Sequence, residues 1–236
     1  MPQSKGLCAS FVLMRETNAP TEIAKLESCL KPEALPGWEA QALACPPGRP
    51  SDVAEKMAQA KRAGVMCLLC PDVEGRWSVV LMKRTEDGTA HSGQLAFPGG
   101  AEDPEDCGNL KQTAIRECAE EVGVEVPEHR VLGALSSLYI PPSDFFVQPY
   151  VAWSPDPLEF VLQEEEVAEV LVLPLGALPS PSTPWPMQRI PVRGGMASVP
   201  GWPCGGHVLW GATAMMMAEL REVCHLAGFG PSFASS

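Results

Sequence analysis

Apolar residues recur along the chain with two different spacings, which divide it into a helical N-terminal part and a longer part rich in strands. Helical spacing predicts helices over residues 21–30 and 51–63, and the proline-rich segment between them has the composition of irregular structure. Short apolar or alternating runs then take over. We therefore predict an N-terminal extension, helical and irregular, over residues 1–64, and one domain over residues 65–236.

The second part combines strands and helices in a mixed order. Helical spacing predicts one helix from Leu110 to Val122 and a longer one over residues 207–228. Residues 174–203 are rich in proline and predict a loop with one strand at 188–192. This order indicates the α/β class, in the α+β sense, with a sheet built largely from hairpins. The other predicted strands cover residues 64–70, 77–84, 94–100, 131–140, 145–153 and the first part of 164–178, which ends in a turn of helix.

Composition limits the classes of function that the chain can have. Its 236 residues carry a formal net charge of −12, which makes it a poor candidate for nucleic-acid binding. Its nine cysteines, an odd number without regular spacing, indicate a protein of a reducing cellular compartment rather than a disulfide scaffold. No apolar run approaches the roughly 18 residues of a membrane span. We expect a soluble intracellular protein, in the cytosol, a mitochondrion or a peroxisome-like organelle. The sequence does not determine its oligomeric state.

Two cysteines lie within one predicted strand, with the spacing of a common zinc-binding pair. Successive side chains of a strand alternate between faces, so Cys67 and Cys70 are expected on opposite faces of the sheet. No second pair follows them. We therefore expect buried thiols rather than a zinc site.

Three glutamates lie within five residues of the predicted Leu110–Val122 helix. Glu117, Glu120 and Glu121 are related by i, i+3 and i+4, so they project from one face. Their repulsion costs a few tenths of a kcal/mol per pair on a solvated helix. The clustering of the three carboxylates becomes favourable if the face binds Mg²⁺ or Mn²⁺, which prefer oxygen ligands. The alternative is a merely solvated acidic face. The stripe that would pack on the sheet is separate and consists of Leu110, Ala114, Cys118 and Val122.

The same stretch, RECAEEVGV at residues 116–124, resembles the second half of the Nudix box, G-x5-E-x7-R-E-U-x-E-E-x-G-U, where U is a bulky aliphatic residue. Gly100 would open the box. The first half departs from the general pattern, because Asp106 stands where a glutamate is expected and nine residues, not seven, separate it from Arg116. Asp106 is the closest candidate for that first acidic position.

The resemblance extends upstream of the box. HSGQLAFPGG, residues 91–100, is similar to the additional motif of the coenzyme A diphosphatase branch of the Nudix hydrolases, which also accepts a longer loop after the glycine pair. Later segments are similar to the same branch, so the match covers roughly residues 65–222. It implies a mixed sheet sandwiched between helices, and it leaves residues 1–64 unexplained.

The resemblance also implies roles on the helix. Glu117, Glu120 and Glu121 would hold Mg²⁺ or Mn²⁺, and Arg116 would orient the helix by pairing with a glutamate. The general base varies within the family. Glu166 is the first candidate here, and Glu120 or Glu121 is the second. The alternative for Glu166 is a solvated acidic loop with its two neighbours.

The upstream motif supplies candidates for substrate binding. Gly99 and Gly100 would let the backbone approach the metal and the phosphates closely. Arg84 could hold the 3′-phosphate of coenzyme A, or it could pair with a nearby carboxylate and steady the loop. His91 and Gln94 could contact substrate, although a lone loop histidine is often structural.

These features favour metal-dependent hydrolysis of a small nucleoside diphosphate derivative. Coenzyme A or its derivatives are the first choice, giving adenosine 3′,5′-bisphosphate and a 4′-phosphopantetheine product. Another nucleotide, such as ADP-ribose or a dinucleoside polyphosphate, is the alternative within the same class. A catalytically weak nucleotide-binding module is a second alternative, which the presence of all three helix glutamates disfavours. Nucleic acids and membranes are not expected partners.

Overall fold

The computed structural model describes residues 20–49, 54–86, 88, 91–192 and 195–229. Within these ranges the chain forms five α-helices and eleven strands, which are connected by short 3-10 turns. The helices are α1 (Thr21–Cys29), α2 (Trp38–Gln41), α3 (Ala54–Gln59), α4 (Leu110–Val122) and α5 (Gly211–Leu226). The strands are β1 (Lys61–Pro71), β2 (Trp77–Arg84), β3 (Leu95–Ala96), β4 (Gly99–Ala101), β5 (Val131–Ala134), β6 (Leu138–Ile140), β7 (Phe145–Trp153), β8 (Val167–Pro174), β9 (Met187–Val192), β10 (Gly195–Cys204) and β11 (His207–Trp210).

Strand β1 is the centre of an eight-stranded mixed sheet. It pairs in parallel with β7 along one side, and antiparallel with β4 and then β2 along the other side. Strands β5 and β6 extend the sheet beyond β7, and β8 extends it beyond β2, whereas β3 pairs with β2 on the side that also pairs with β1. The β1–β7 pair is the parallel element of an otherwise antiparallel sheet, and this mainly antiparallel arrangement agrees with the predicted α+β class.

The two faces of the sheet are covered by different helices. Met66, Leu68 and Cys70 of β1 pack in a core with Ala114, Cys118 and Val122 of the α4 stripe. The alternate residues Cys67 and Leu69 pack in a second core with α1 and α5. The predicted mixed sheet between helices is therefore confirmed, and the two thiols lie buried and unpaired on opposite faces as expected.

The N-terminal helices belong to the second core. Ile23 and Leu26 of α1 are fully buried in it. Glu219 of α5 is also buried, and its carboxylate accepts hydrogen bonds from the Gln41 side chain (2.8 Å) and the Ser136 main-chain N–H (3.1 Å). These apolar and polar contacts connect the extension with the rest of the fold.

Two sequence-based boundaries differ from the structure. The helix expected over residues 51–63 is α3, which ends at Gln59, and β1 begins at Lys61. Residues 61–63 pair instead with β7, and this sheet pairing outweighs their helical spacing. The division at residues 64 and 65 stays a prediction, although the central strand begins on its N-terminal side.

The stretch expected to be mainly loop, residues 174–203, contains β9 and nearly all of β10, which form a second, three-stranded sheet with β11. Strands β9, β10 and β11 pair antiparallel in the order β11-β10-β9. Among the described residues each half of β10 pairs with a single neighbour, so Pro200 and Pro203 need not interrupt a ladder on both sides. The long helix expected from residue 207 begins at Gly211, whose φ of +67° breaks the helical pattern after β11.

Among the helices of the described ranges, none is both long enough and apolar enough to cross a membrane.

Candidate active site

Glycines allow α4 to lie directly against the central sheet. A Cβ on Gly64 would come within 2.2 Å of the Leu110 main-chain oxygen, and one on Gly99 within 2.4 Å of the Gly64 oxygen. Gly99 also has a φ of +149°, which side chains rarely adopt. Gly64 thus brings α4 against β1, Gly99 brings β4 against β1, and Gly100 makes room for the Glu117 carboxyl group, so these three glycines form a glycine seam between β1, β4 and α4.

Glu121 is the most deeply buried of the three helix glutamates. Its side chain is 2% exposed, and its Oε2 accepts a hydrogen bond from the Gly99 N–H at 2.7 Å. Burial raises the pKa of Glu121 to about 8, although the Gly99 hydrogen bond and Arg84 oppose the shift. At neutral pH, in the absence of a cation, this carboxyl therefore favours its protonated form.

Arg116 holds the other two glutamates. Its Nη1 donates to Glu117 Oε1 at 2.9 Å and to Glu120 Oε2 at 3.0 Å. Glu117 is also partly buried, and burial raises its pKa while Arg116 lowers it. A Cβ on Gly100 would lie 2.5 Å from the Glu117 carboxyl group, so this glycine provides the space that the carboxylate occupies.

Asp106, the residue at which the box departs from the general pattern, has a structural position. Its two carboxylate oxygens accept bonds from Nε and Nη2 of Arg116 at 3.1 and 3.0 Å. Thr113 Oγ1 and the Asp103 N–H also donate to it. The hydrogen bond from Arg116 is the main cause that lowers the pKa of Asp106 to about 2. Asp106 thus anchors Arg116, which in turn holds Glu117 and Glu120.

A cavity of about 840 Å³ opens beside this arrangement. It extends from the α4 carboxylates across β1 to β7 and the residues that follow β6. Every residue that the sequence suggested for catalysis, metal binding or substrate binding lines it, namely Glu117, Glu120, Glu121, Glu166, Arg84, His91, Gln94, Gly99 and Gly100.

Glu166 differs from its two acidic neighbours in its position relative to this cavity. It lines the wall, whereas Glu164 and Glu165, which the structure also describes, do not. Its main-chain oxygen accepts a bond from the Thr85 N–H at 3.0 Å, which fixes the loop next to β2. Its negative charge makes a minor contribution to the raised pKa of both Glu117 and Glu121, and all three residues line the same cavity.

The basic candidates have partners inside the cavity. Arg84 Nη1 lies 3.7 Å from Glu121 Oε1. His91 Nε2 lies 3.0 Å from Ser143 Oγ, and its Nδ1 lies 3.4 Å from Gln94 Oε1. The structure therefore matches the alternative in which Arg84 pairs with a carboxylate, and it gives His91 a structural bond as well as a place in the wall.

The three α4 carboxylates supply the hard oxygen donors that Mg²⁺ and Mn²⁺ prefer. No group of three His, Cys, Asp or Glu side chains is gathered for a metal ion within the described part of the chain. Two of the carboxylates are bonded to Arg116 and the third to Gly99. The donor chemistry of these carboxylates fits a divalent cation, which would replace part of these contacts.

Sequence reasoning did not identify part of the cavity wall. Pro46–Arg49 of the N-terminal segment and Trp210–Thr213 at the start of α5 line it. A single arginine in a proline-rich segment carries no motif. Trp210 was hidden because the helix was expected to begin before it.

Comparison with known proteins agrees with the geometry. The NUDIX domain family matches residues 60–192, which is more than half of the chain. The chain therefore belongs to the Nudix family.

Individual relatives are similar over parts of their length. The chain is 39% identical over 126 residues to the peroxisomal coenzyme A diphosphatase ndx-8 of Caenorhabditis elegans, covering 53% of each protein. It is 42% identical over 98 residues to the uncharacterized Nudix hydrolase NudL of Yersinia enterocolitica, covering 42% of this chain and 49% of that protein. The match thus spans about half the length of these two relatives. The NudL protein of Photorhabdus laumondii is 32% identical over 145 residues, which cover 61% of this chain and 76% of that protein.

The anchoring role of Asp106 predicts a specific loss of stability. Asp106→Asn removes the buried charge that faces Arg116, and we expect the free energy of unfolding in denaturant to fall by about 2–3 kcal/mol. Glu105→Gln is the matched control, because the Glu105 side chain is 69% exposed and lies 3.7 Å from the same arginine. It should change stability by less than about 0.5 kcal/mol. Equal stability of the two variants would contradict the anchoring role.

Proposed function

We propose that the protein hydrolyses the diphosphate of coenzyme A or a derivative, giving adenosine 3′,5′-bisphosphate and a 4′-phosphopantetheine product. One observation carries the proposal: the acidic face of α4 and seven of the ten residues of the HSGQLAFPGG motif line the same cavity. The similarity to ndx-8, which is named a coenzyme A diphosphatase, supports this choice of substrate. The free cysteines of the described residues support a place inside the cell.

Charge explains why a cation belongs to this proposal. Four glutamates line the cavity of a chain with a net charge of −12, and a diphosphate brings further negative charge. Glu117, Glu120 and Glu121 would hold Mg²⁺ or Mn²⁺. The bound cation would neutralise phosphoryl oxygens and lower the pKa of a bound water.

The chain's own residues would orient the diphosphate. Gly99 and Gly100 expose backbone at the cavity wall, where a side chain would collide with β1 or with Glu117. Arg84 lies beside Glu121, so its guanidinium would face the diphosphate rather than a remote group. Orientation of this kind can supply a large part of the rate enhancement in phosphoryl transfer.

Glu166 is the best-placed general base. The Glu121 carboxylate is buried and bonded to Gly99, and Glu120 is bonded to Arg116. The side chain of Glu166 is exposed to the cavity, and no shared hydrogen bond with Arg116 ties it to α4. Its carboxylate would accept a proton from the attacking water, and the phosphopantetheine or the nucleotide phosphate would leave from the attacked phosphorus.

The substrate is tested with a panel of coenzyme A, acetyl-coenzyme A, ADP-ribose and a dinucleoside polyphosphate. We expect coenzyme A or its thioester to be cleaved fastest with Mg²⁺ or Mn²⁺, and a chelator to stop the reaction. Mass spectrometry should identify adenosine 3′,5′-bisphosphate among the products. Faster cleavage of ADP-ribose or the dinucleoside polyphosphate would reject the coenzyme A assignment, and full activity in chelator would reject the cation.

The general base is tested by a pair of neighbouring variants. Glu166→Gln keeps the shape of the side chain but cannot accept the proton, so kcat should fall by roughly 10²–10⁴. Glu164→Gln removes the same charge from a residue outside the cavity wall and should keep a kcat near that of the wild type. Similar rates for the two variants at saturating metal would exclude Glu166 as the base.

A further inference from the structure

Three basic side chains line the cavity within the described residues: Arg49, Arg84 and His91. Arg84 pairs with Glu121, and His91 contacts Ser143 and Gln94. Arg49 differs from both, because its guanidinium has no carboxylate within ion-pair distance among the described residues. Its Nη2 donates to the main-chain oxygen of Tyr139 in β6. Most of the five N–H donors of this guanidinium therefore remain for another acceptor.

Arg49 lies on the side of the cavity away from α4. Strand register places the elements in the order β4, β1, β7 and β6, with Ala63 of β1 paired to Ala101 on one side and to Val147 on the other. Tyr139 of β6 is paired to Phe146 of β7. Three interstrand spacings of about 4.8 Å put β6 roughly 14 Å from β4. Side chains reaching inward from both borders leave a span that a nucleotide can bridge.

The wall between these borders is apolar. Val65, Ile140, Phe145 and Val147 line it. An uncharged ribose or base could cross this surface, but a second charged group would need a counterion at its far end. Burial lowers the pKa of Arg49, consistent with a cation that lacks a compensating anion.

The backbone that carries Arg49 is restricted. Pro46 and Pro47 have fixed φ angles, and Gly48 takes a φ of +77°. The Cys45 N–H bonds to the Ala42 oxygen at 3.2 Å, which connects this segment with the helices packed on the core. Arg49 is thus presented by a restrained segment, and this reduces the entropy lost when it binds a ligand.

We propose that Arg49 binds a second anionic group of the substrate, a phosphomonoester remote from the scissile diphosphate. In the proposed function, on which this inference rests, that group is the 3′-phosphate of coenzyme A. The N-terminal segment would then complete the substrate site and set the preference for a phosphorylated nucleoside. Arg84, beside Glu121, would act on every diphosphate substrate alike.

The test compares Arg49→Gln, Arg49→Lys and Arg76→Gln with the wild type on coenzyme A and dephospho-coenzyme A. Glutamine can still donate to the Tyr139 oxygen, so the fold is expected to survive, and melting temperature checks this. Arg49→Gln should lower the ratio of kcat/KM for coenzyme A to kcat/KM for dephospho-coenzyme A by roughly ten- to a hundredfold, which is the effect of losing a charge-assisted contact. Arg49→Lys should retain a larger part of the ratio. Arg76→Gln changes the same charge in the β1–β2 turn, where Arg76 pairs with Asp72, and should leave the ratio unchanged.

Calorimetry separates this inference from the proposed function. If the wild type cleaves neither coenzyme A form, the proposed function fails, and binding of adenosine 3′,5′-bisphosphate and of 5′-AMP still tests Arg49. The wild type should bind the bisphosphate at least roughly tenfold more tightly, and Arg49→Gln should lose that preference. A wild type without preference, or a preference that Arg49→Gln keeps, would overturn the role of Arg49.

Discussion

The close approach of α4 to the central sheet is the constraint on which the site depends. Helix and strands usually pack with side chains between them, but here Gly64 lets the main chains of β1 and α4 meet, and Gly99 lets the main chains of β4 and β1 meet. The Gly99 N–H can then reach Glu121, and the Glu117 carboxylate can occupy the space beside Gly100. Side chains at these glycines would move the helix or its carboxylates away from the cavity. A backbone requirement in β1 and β4 thus determines where the charge of α4 lies.

The electrostatics of the site combine the guanidinium of Arg116 with carboxyl groups whose pKa values are shifted in opposite directions. Asp106, which is buried, and Arg116, which is partly buried, form a multiply bonded pair whose charges persist across the physiological pH range. Glu121 is the opposite case, because burial favours its protonated form. A divalent cation at these carboxylates would displace that proton, since metal ligands bind deprotonated. The repulsion among the three neighbouring glutamates is offset by Arg116, which bonds two of them, and by the raised pKa of Glu121, and a bound divalent cation would take over both roles.

The sequence predicted the α4 glutamates and the two faces of β1 well, because helical spacing and strand alternation are local patterns. Helical spacing alone puts Glu117, Glu120 and Glu121 on one face, and strand alternation alone separates Cys67 from Cys70. The errors arose where tertiary pairing overrides local pattern. Residues 61–63 have helical spacing but pair with β7, and prolines concealed β10. Arg49 was beyond prediction for a different reason: its place at the cavity follows from a bond to the Tyr139 oxygen, and no sequence pattern encodes a contact over that separation.

The central claim is that the glycine seam positions the α4 carboxylates for a divalent cation, and Gly100→Ala with Mn²⁺ tests it most directly. The new Cβ would meet the Glu117 carboxyl group at 2.5 Å, the far end of a flexible side chain that can turn away, so the charge and the fold should both survive. Mn²⁺ affinity, measured by electron paramagnetic resonance of the free ion, is predicted to weaken at least roughly tenfold, the effect of losing one well-placed ligand. The melting temperature should stay near that of the wild type. Unchanged Mn²⁺ affinity in a folded Gly100→Ala protein would contradict the account.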